Sequence, residues 1–159
     1  MNNLTQNKNY LSPTGFKVTI SSNEFANLEY FCTSTSIPAL SIGEIATPFQ
    51  SQQAYVPGDR LDYAPFEMNF IVSENMENYI EIYNWIRSNT QENKFKYCDI
   101  ILHILTSSNT PNKKIRYVDA FPVSVSAIQF ITQNTNVEYA TSDVTFRYTR
   151  FEFIWSRIG

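Results

Sequence analysis

Apolar and polar residues alternate with a period of two along most of this chain, the pattern of strands with one buried face. Phe16, Val18 and Ile20 alternate with Lys17 and Thr19 behind the turn residues Pro13 and Gly15, which predicts a first strand. Leu28 to Thr35, with Tyr30, Phe31, Thr33 and Thr35, predicts a second within hairpin distance, stopped at Ile37-Pro38 where proline removes a ladder donor. Phe66, Met68, Phe70 and Val72 against Glu67 and Asn69 give the clearest strand. Cys98 to Thr106 sets Ile100, Leu102 and Ile104 against Asp99, Ile101 and His103; after a turn at Asn109-Thr110-Pro111-Asn112, Ile115 to Val118 is its expected antiparallel return. A separate strand is expected in Ala120 to Ile131 around Val123 and Val125, and Gln133 to Asn136 reads as a turn.

One segment breaks the period. Ser73 is a good N-cap, and Glu74 and Glu77 complement the positive end of a helix dipole. Met76, Tyr79, Ile80, Tyr83 and Ile86 recur at helical spacing, with Arg87 in the expected last turn and Asn89 as C-terminal cap. The spacing predicts a single helix over about 74–88, laid across an open face or mouth of a β-structure.

Ser41 to Asp62 has scattered apolar residues, two prolines and two glycines. A connection of ~20 residues without structure of its own is unusual in a compact domain. As a solvated loop it would leave Ile42, Ile45, Phe49, Tyr55 and Val56 in water, so a long hairpin arm over about 41–62 that packs on a partner is expected, with a turn at Val56-Pro57-Gly58-Asp59. The closing strand changes phase: Val144, Phe146 and Tyr148 are even-numbered, whereas Phe151, Phe153 and Trp155 are odd. Such a shift flips the apolar face, so either a bulge lies near Thr149-Arg150 or the strand leaves one packing environment for another, at a barrel corner or in a neighbouring subunit. The fold expected is mainly β, a β-sandwich or small barrel with one flanking helix and a long arm.

Composition adds a reason for the arm. The 159 residues carry 15% aromatics but only 17% charged residues and a net charge of -3, while Asn, Ser and Thr supply 45 of them. The length suits one domain over 1–159, with 1–12 as a polar N-terminal arm. Disorder is excluded by this apolar content. A surface poor in charge and rich in aromatics leans toward self-association. No run approaches the ~18 apolar residues of a membrane span, and the polar stretch Met1 to Asn9 has no secretory core, so synthesis and retention in the cytoplasm are expected.

Catalytic and metal chemistry find no foothold. Cys32, Cys98 and His103 fall short of the four ligands of a structural zinc site, and without a secretory signal the cysteines are expected to be reduced and packed. His103 lacks a nucleophile at motif spacing and reads as a strand-face histidine. Asp59 and Asp62 could be drawn as an acid-base pair, but beside Arg60 a local ion pair or turn hydrogen bonds are the simpler role. The four glycines are isolated, so no phosphate-cradling loop exists. Lys113, Lys114 and Arg116, the only basic cluster, suit a solvated hairpin tip better than a nucleic-acid site. Asn3-Leu4-Thr5 matches a glycosylation tripeptide that carries no weight without secretion. No enzyme, cofactor or metal is expected.

Several segments in order resemble the tail tube protein family of contractile-tailed bacteriophages. They are Gly15-Phe16-Lys17-Val18, then Phe31-Cys32-Thr33-Ser34-Thr35-Ser36-Ile37-Pro38, the arm ending in Val56-Pro57-Gly58-Asp59-Arg60, and the strand and helix from Phe66 to Trp85. The resemblance covers about Thr14 to Ile86, with a looser echo from Val144 to Trp155; Met1 to Ser12 and Thr132 to Asn136 depart from it. It implies homo-hexameric rings whose strands join into a continuous inner barrel and which stack into a hollow tube. It further implies a tail sheath around that tube, baseplate and tail-terminator proteins at its ends, and phage DNA passing through the lumen without specific binding, all within the virion. It implies that the arm Ser41 to Asp62 contacts the adjacent subunit or ring, so Ile45, Phe49, Tyr55, Val56, Pro57, Gly58, Asp59 and Arg60 are expected at contacts, and the uncharged aromatic surface of the phase-shifted last strand adds Phe151 and Phe153.

Heterologous contacts that close a ring remove exposed sheet edges, and stacked rings give a filament. A lumen poor in cations would let DNA pass. Two other readings stay open on sequence alone. One is a related tube protein of a secretion system or phage-tail-like particle. The other is a monomeric carbohydrate-binding β-sandwich, which would cluster Tyr and Trp on one face.

Overall fold

The computed structural model describes residues 10–22, 28–29, 31–91, 95–133 and 139–154. The expectations for Met1 to Asn9, Tyr30, Trp155 and 134–136 of the last turn lie outside them. Among the described residues the strands and the long helix follow in the order β1 (Phe16–Ile20), β2 (Cys32–Thr35), β3 (Leu40–Pro48), β4 (Gln53–Tyr63), β5 (Phe66–Ile71), α1 (Glu77–Gln91), β6 (Cys98–Leu105), β7 (Pro111–Val125), β8 (Thr141–Arg147) and β9 (Arg150–Ile154).

All described strand pairs are antiparallel, and β7 is the hinge of the architecture. Its first part pairs with β6 and β9, its last part with β8. The ladder β1-β6-β7-β9 thus faces the ladder β7-β8-β5-β2 as two layers joined along one strand. Among the described residues the two do not close into a barrel, since β1 pairs there only with β6 and β2 only with β5. The first two strands, close in sequence, lie in opposite layers rather than in a hairpin. The second is also shorter than expected: Leu28 precedes it as a fully buried core residue.

The core lies between the layers. Phe66, Met68 and Phe70 of β5 and Val144 and Phe146 of β8 meet Ile100 and Leu102 of β6 and Ile115 and Tyr117 of β7. Aromatic rings carry much of the contact, with centroids 4.5 Å apart for Phe66 and Tyr117 and 5.9 Å for Trp85 and Phe146.

The expected phase change in the closing strand is a change of partner. β8 ends at Arg147 in one layer, and β9 begins at Arg150 along β7 in the other. The Thr149 amide donates to Val118 O at 2.9 Å across the step. β7 is also one strand where two were expected. It passes Asp119, whose φ is 52°, and a register shift at Pro122/Ser124, and stays paired because its partner changes there.

The helix begins one turn later than expected and turns only part of the expected face inward, Tyr79 and Ile86 packing against the core. Met76, at φ 57°, interrupts the helical path, so Ser73 caps from four residues away: its Oγ accepts from the Glu77 amide at 3.1 Å. The buried positions are Asn78, Ile82 and Trp85, while Ile80 and Tyr83 are exposed. A polar residue at the head of the stripe disguised it. Asn78 is buried because it stitches β5 to α1, donating to Ile71 O at 2.7 Å and accepting from the amides of Ser73 and Tyr79. Asn89 is no terminal cap; it exchanges hydrogen bonds with the Lys96 backbone, to which Trp85 Nε1 also donates.

Two core tyrosines predict opposite outcomes. The Tyr148 hydroxyl donates to Ala64 O at 2.7 Å, and burial together with nearby Tyr63 pushes its pKa up to about 12. The Tyr117 hydroxyl is buried without a hydrogen-bond partner among the described residues, and burial raises its pKa further. Tyr148→Phe is therefore expected to lower stability by about 1 kcal/mol, and Tyr117→Phe to leave it unchanged or raise it, because removing an unsatisfied buried hydroxyl relieves its desolvation. Equilibrium urea unfolding of both variants measures the contrast.

Candidate assembly surface

The arm is a two-stranded ribbon separate from the layers: β3 and β4 pair only with each other. It turns at Phe49 to Gln52, where the Phe49 amide donates to Gln52 O at 3.2 Å. The expected turn at Val56 to Asp59 is instead part of β4, where the register slips between Ile42 and Glu44 as β4 accommodates extra residues. Gly58 makes the slip possible. A Cβ there would stand 2.7 Å from Gly43 O, whereas one at Gly43 would meet nothing within 4 Å. Gly58→Ala is thus expected to displace the ribbon and impair assembly with little change in melting temperature, and Gly43→Ala to do neither; sedimentation velocity and a thermal melt measure both.

The root of the ribbon is fixed. Tyr63 packs edge-on against Tyr148 and Phe151, centroids 5.9 and 5.4 Å away, and the Ala64 amide donates to Ala39 O at 3.0 Å. Beyond the root nothing among the described residues covers it. Cross-strand pairing puts Leu40, Ile42, Leu61 and Tyr55 on one face and the directly opposed pair Ile45 and Val56 on the other. Ile45 is 55% exposed, Phe49 74% and Tyr55 60%. An isolated hairpin is marginal in water, and this one is apolar on both faces.

The remaining residues expected at contacts separate into two groups. Pro57, Gly58, Asp59 and Arg60 lie on the ribbon with Val56. Asp59, Arg60 and Asp62 are exposed along β4 rather than gathered in a turn. Phe151 belongs to the chain's own aromatic cluster with Tyr63, Tyr117 and Tyr148, whereas Phe153, beside it on β9, is 52% exposed. Phe153 meets Phe151, centroids 6.3 Å apart, which packs in turn on Tyr63 at the root of the ribbon.

Outside the arm the candidate groups are structural. His103 Nε2 lies 3.0 Å from Thr19 Oγ1, and burial, then Lys114 and Lys17, hold its pKa below the usual histidine value. Lys113, Lys114 and Arg116 lie along β7 rather than at a tip, and Arg116 pairs with Glu152; the tip is Thr106 to Thr110. Both cysteines are free, and burial pushes the Cys32 thiol up to about 11. Among the described residues no group of His, Cys, Asp and Glu could hold a metal, and no helix is long and apolar enough to cross a membrane.

The model of the phage tail tube protein family matches residues 3–154. The chain belongs to that family. Tail tube proteins are structural components, and this chain is a structural protein of the tail tube type. No curated protein sequence matches it. Among solved structures, a chain of the anti-feeding prophage baseplate superposes with a TM-score of 0.75 at 10% identity, covering 94% of this chain and 99% of that one. A chain of the sheath-tube complex of the extracellular contractile injection system PVC gives 0.71 at 17% identity over 93% of each. An Hcp protein gives 0.57 at 12% identity over 91% of this tail tube protein and 93% of its own length. At these identities the likeness shows a shared fold.

Proposed function

We propose that the chain is a single domain that, after synthesis in the host cytoplasm, forms homo-hexameric rings stacked into a hollow tail tube. The tube lies inside a contractile sheath, ends at baseplate and terminator proteins, and conducts the phage genome. The observation that carries this reading is the β3–β4 ribbon: it leaves apolar side chains in water on both faces, and only association removes them. Ile45, Phe49, Tyr55, Val56 and the segment Pro57 to Arg60 are the contact residues, with Phe153 a separate contact from β9 and Phe151 supporting it from within.

Free sheet edges agree with a ring. Among the described residues β1, β2 and β9 each pair on one side only, and a heterologous contact repeated around a closed ring would cover such edges. A second reading is the same tube in an injection particle that carries no genome, favoured by the fold shared with the anti-feeding prophage and PVC chains. A monomeric sugar-binding sandwich leaves the ribbon unexplained. Negative-stain microscopy of the purified protein tests the proposal: rings or tubes of uniform bore are expected, and a monomer that persists at high concentration overturns it. Nucleic acid recovered from intact particles separates the two tube readings.

A further inference from the structure

The ribbon has two free edges, and they are not equivalent. In an antiparallel pair, opposed residues alternate between those that bond each other and those whose N–H and C=O groups point outward. The phase of that alternation is fixed at both ends of the ribbon. At the tip the Phe49 amide donates to Gln52 O, so the outward-pointing pairs are Pro48 and Gln53, Ala46 and Tyr55, and Glu44 and Pro57. At the root the Ala64 amide donates to Ala39 O, which makes Leu40 and Tyr63, then Ile42 and Leu61, the outward-pointing pairs. The register slip falls between these two blocks, and its extra residues belong to β4.

β3 therefore keeps one phase along its length, with outward amides at Leu40, Ile42, Glu44 and Ala46 until Pro48 ends the row at the tip. β4 does not. Its row starts with Gln53 and Tyr55, and the next outward position is Pro57, which has no N–H to offer. The slip follows at once, with Gly58 packed against the Gly43 carbonyl and Asp59 exposed beyond it. A proline is tolerated in a strand where its missing donor would face out of the sheet, and there it denies that edge to a further strand.

The surrounding sequence offers no other interruption. No charged residue lies between Glu44 and Asp59, and Ala54, Tyr55 and Val56 run straight into Pro57. Uncharged, β-prone segments with an exposed edge are those from which open-ended sheets grow. Such growth needs two usable edges on every ribbon; with one, pairing stops at two ribbons. We propose that Pro57, together with the slip behind it, closes the β4 edge, so that copies of this chain not yet assembled cannot add ribbon to ribbon into an open-ended sheet. Contact between copies is left to the faces of the ribbon and to the β3 edge. The closure acts on the chain before it assembles, and so stands apart from the tube reading.

Matched substitutions on the two edges test the closure. Pro57→Thr restores the outward amide of β4, whereas Pro48→Thr restores one on β3 and leaves β4 closed. Incubated at equal concentration, Pro57→Thr is expected to give a thioflavin-T fibre signal at least about tenfold above that of the wild type, and Pro48→Thr a signal no higher than the wild type's. Hydrogen exchange of the fibres locates the contact: protection gained within residues 53–63 is expected, with β5 to β8 keeping their native pattern. Equal signals from the two variants, no increase from Pro57→Thr, or protection gained outside the ribbon overturns the proposal. The tube reading is judged separately, on rings of the unmodified protein, and neither result decides the other.

Discussion

Phe66→Ala is expected to lower the unfolding free energy by about 3–5 kcal/mol, roughly a fifth or more of the about 5–15 kcal/mol that holds a folded domain. Phe66 is fully buried and opens β5, the strand nearest the root of the arm. Its ring lies 4.5 Å from that of Tyr117 in the opposite layer and 6.1 Å from that of Phe146 beside it, so it bridges the two sheets. Truncation removes the contacts and leaves a cavity whose walls are strands, which collapse less readily than a loop. Phe66→Leu, which keeps most of the volume, is expected to lose no more than about 1.5 kcal/mol. Urea unfolding at constant m-value measures both. A loss under about 1 kcal/mol for the alanine variant would show that the layers do not meet through this ring.

How far the sequence announced this core can be followed residue by residue. β1, β5, β6 and β8 were visible because alternation reports directly which face is buried, as Phe66, Met68, Phe70 and Val144, Phe146 illustrate. Alternation is silent about partners. Nothing in Phe16 to Thr35 reveals that β1 and β2 belong to opposite layers, since either strand would alternate identically in a hairpin. The helix is visible as a period and its face only in part: Tyr79 and Ile86 do pack on the core, but the buried stripe starts with Asn78, a residue whose burial depends on backbone groups of Ile71 and Ser73 rather than on hydropathy. Ile115 to Val118 and the segment around Val123 and Val125 read as two strands; in the fold Asp119 joins them into β7, which changes sheet just beyond it, between Ala120 and Phe121.

The arm was legible in extent but not in geometry. Ile42, Ile45, Phe49, Tyr55 and Val56 could not be solvated cheaply, which predicted a hairpin and a partner. Pro57-Gly58 suggested a turn, whereas the close approach of Gly58 to Gly43 is a demand of the register slip that no local pattern encodes. The phase shift of the last strand was read as either a corner or a subunit boundary. It is a corner within the chain, and Phe151 is correspondingly part of the aromatic cluster around Tyr117.

Ile45→Asp is expected to abolish assembly while sparing the fold. Ile45 lies directly opposite Val56, and both project from the same face of the ribbon, more than two-fifths exposed. In the free chain the new carboxylate stays hydrated, so the melting temperature should move by no more than a few degrees. In an assembly that covers this face it is desolvated beside valine with no cation opposite, which costs several kcal/mol per contact. Since about 1.4 kcal/mol is a factor of ten in an equilibrium constant, the concentration needed for half-assembly should rise by at least about a hundredfold. Ile45→Val, which keeps the face apolar, is expected to assemble as the wild type does. Analytical ultracentrifugation across a concentration series measures the shift, and a circular dichroism melt separates it from unfolding. Rings that form at the wild-type concentration in Ile45→Asp would place this face of the ribbon in solvent, and the apolar side chains of β3 and β4 would then need another explanation.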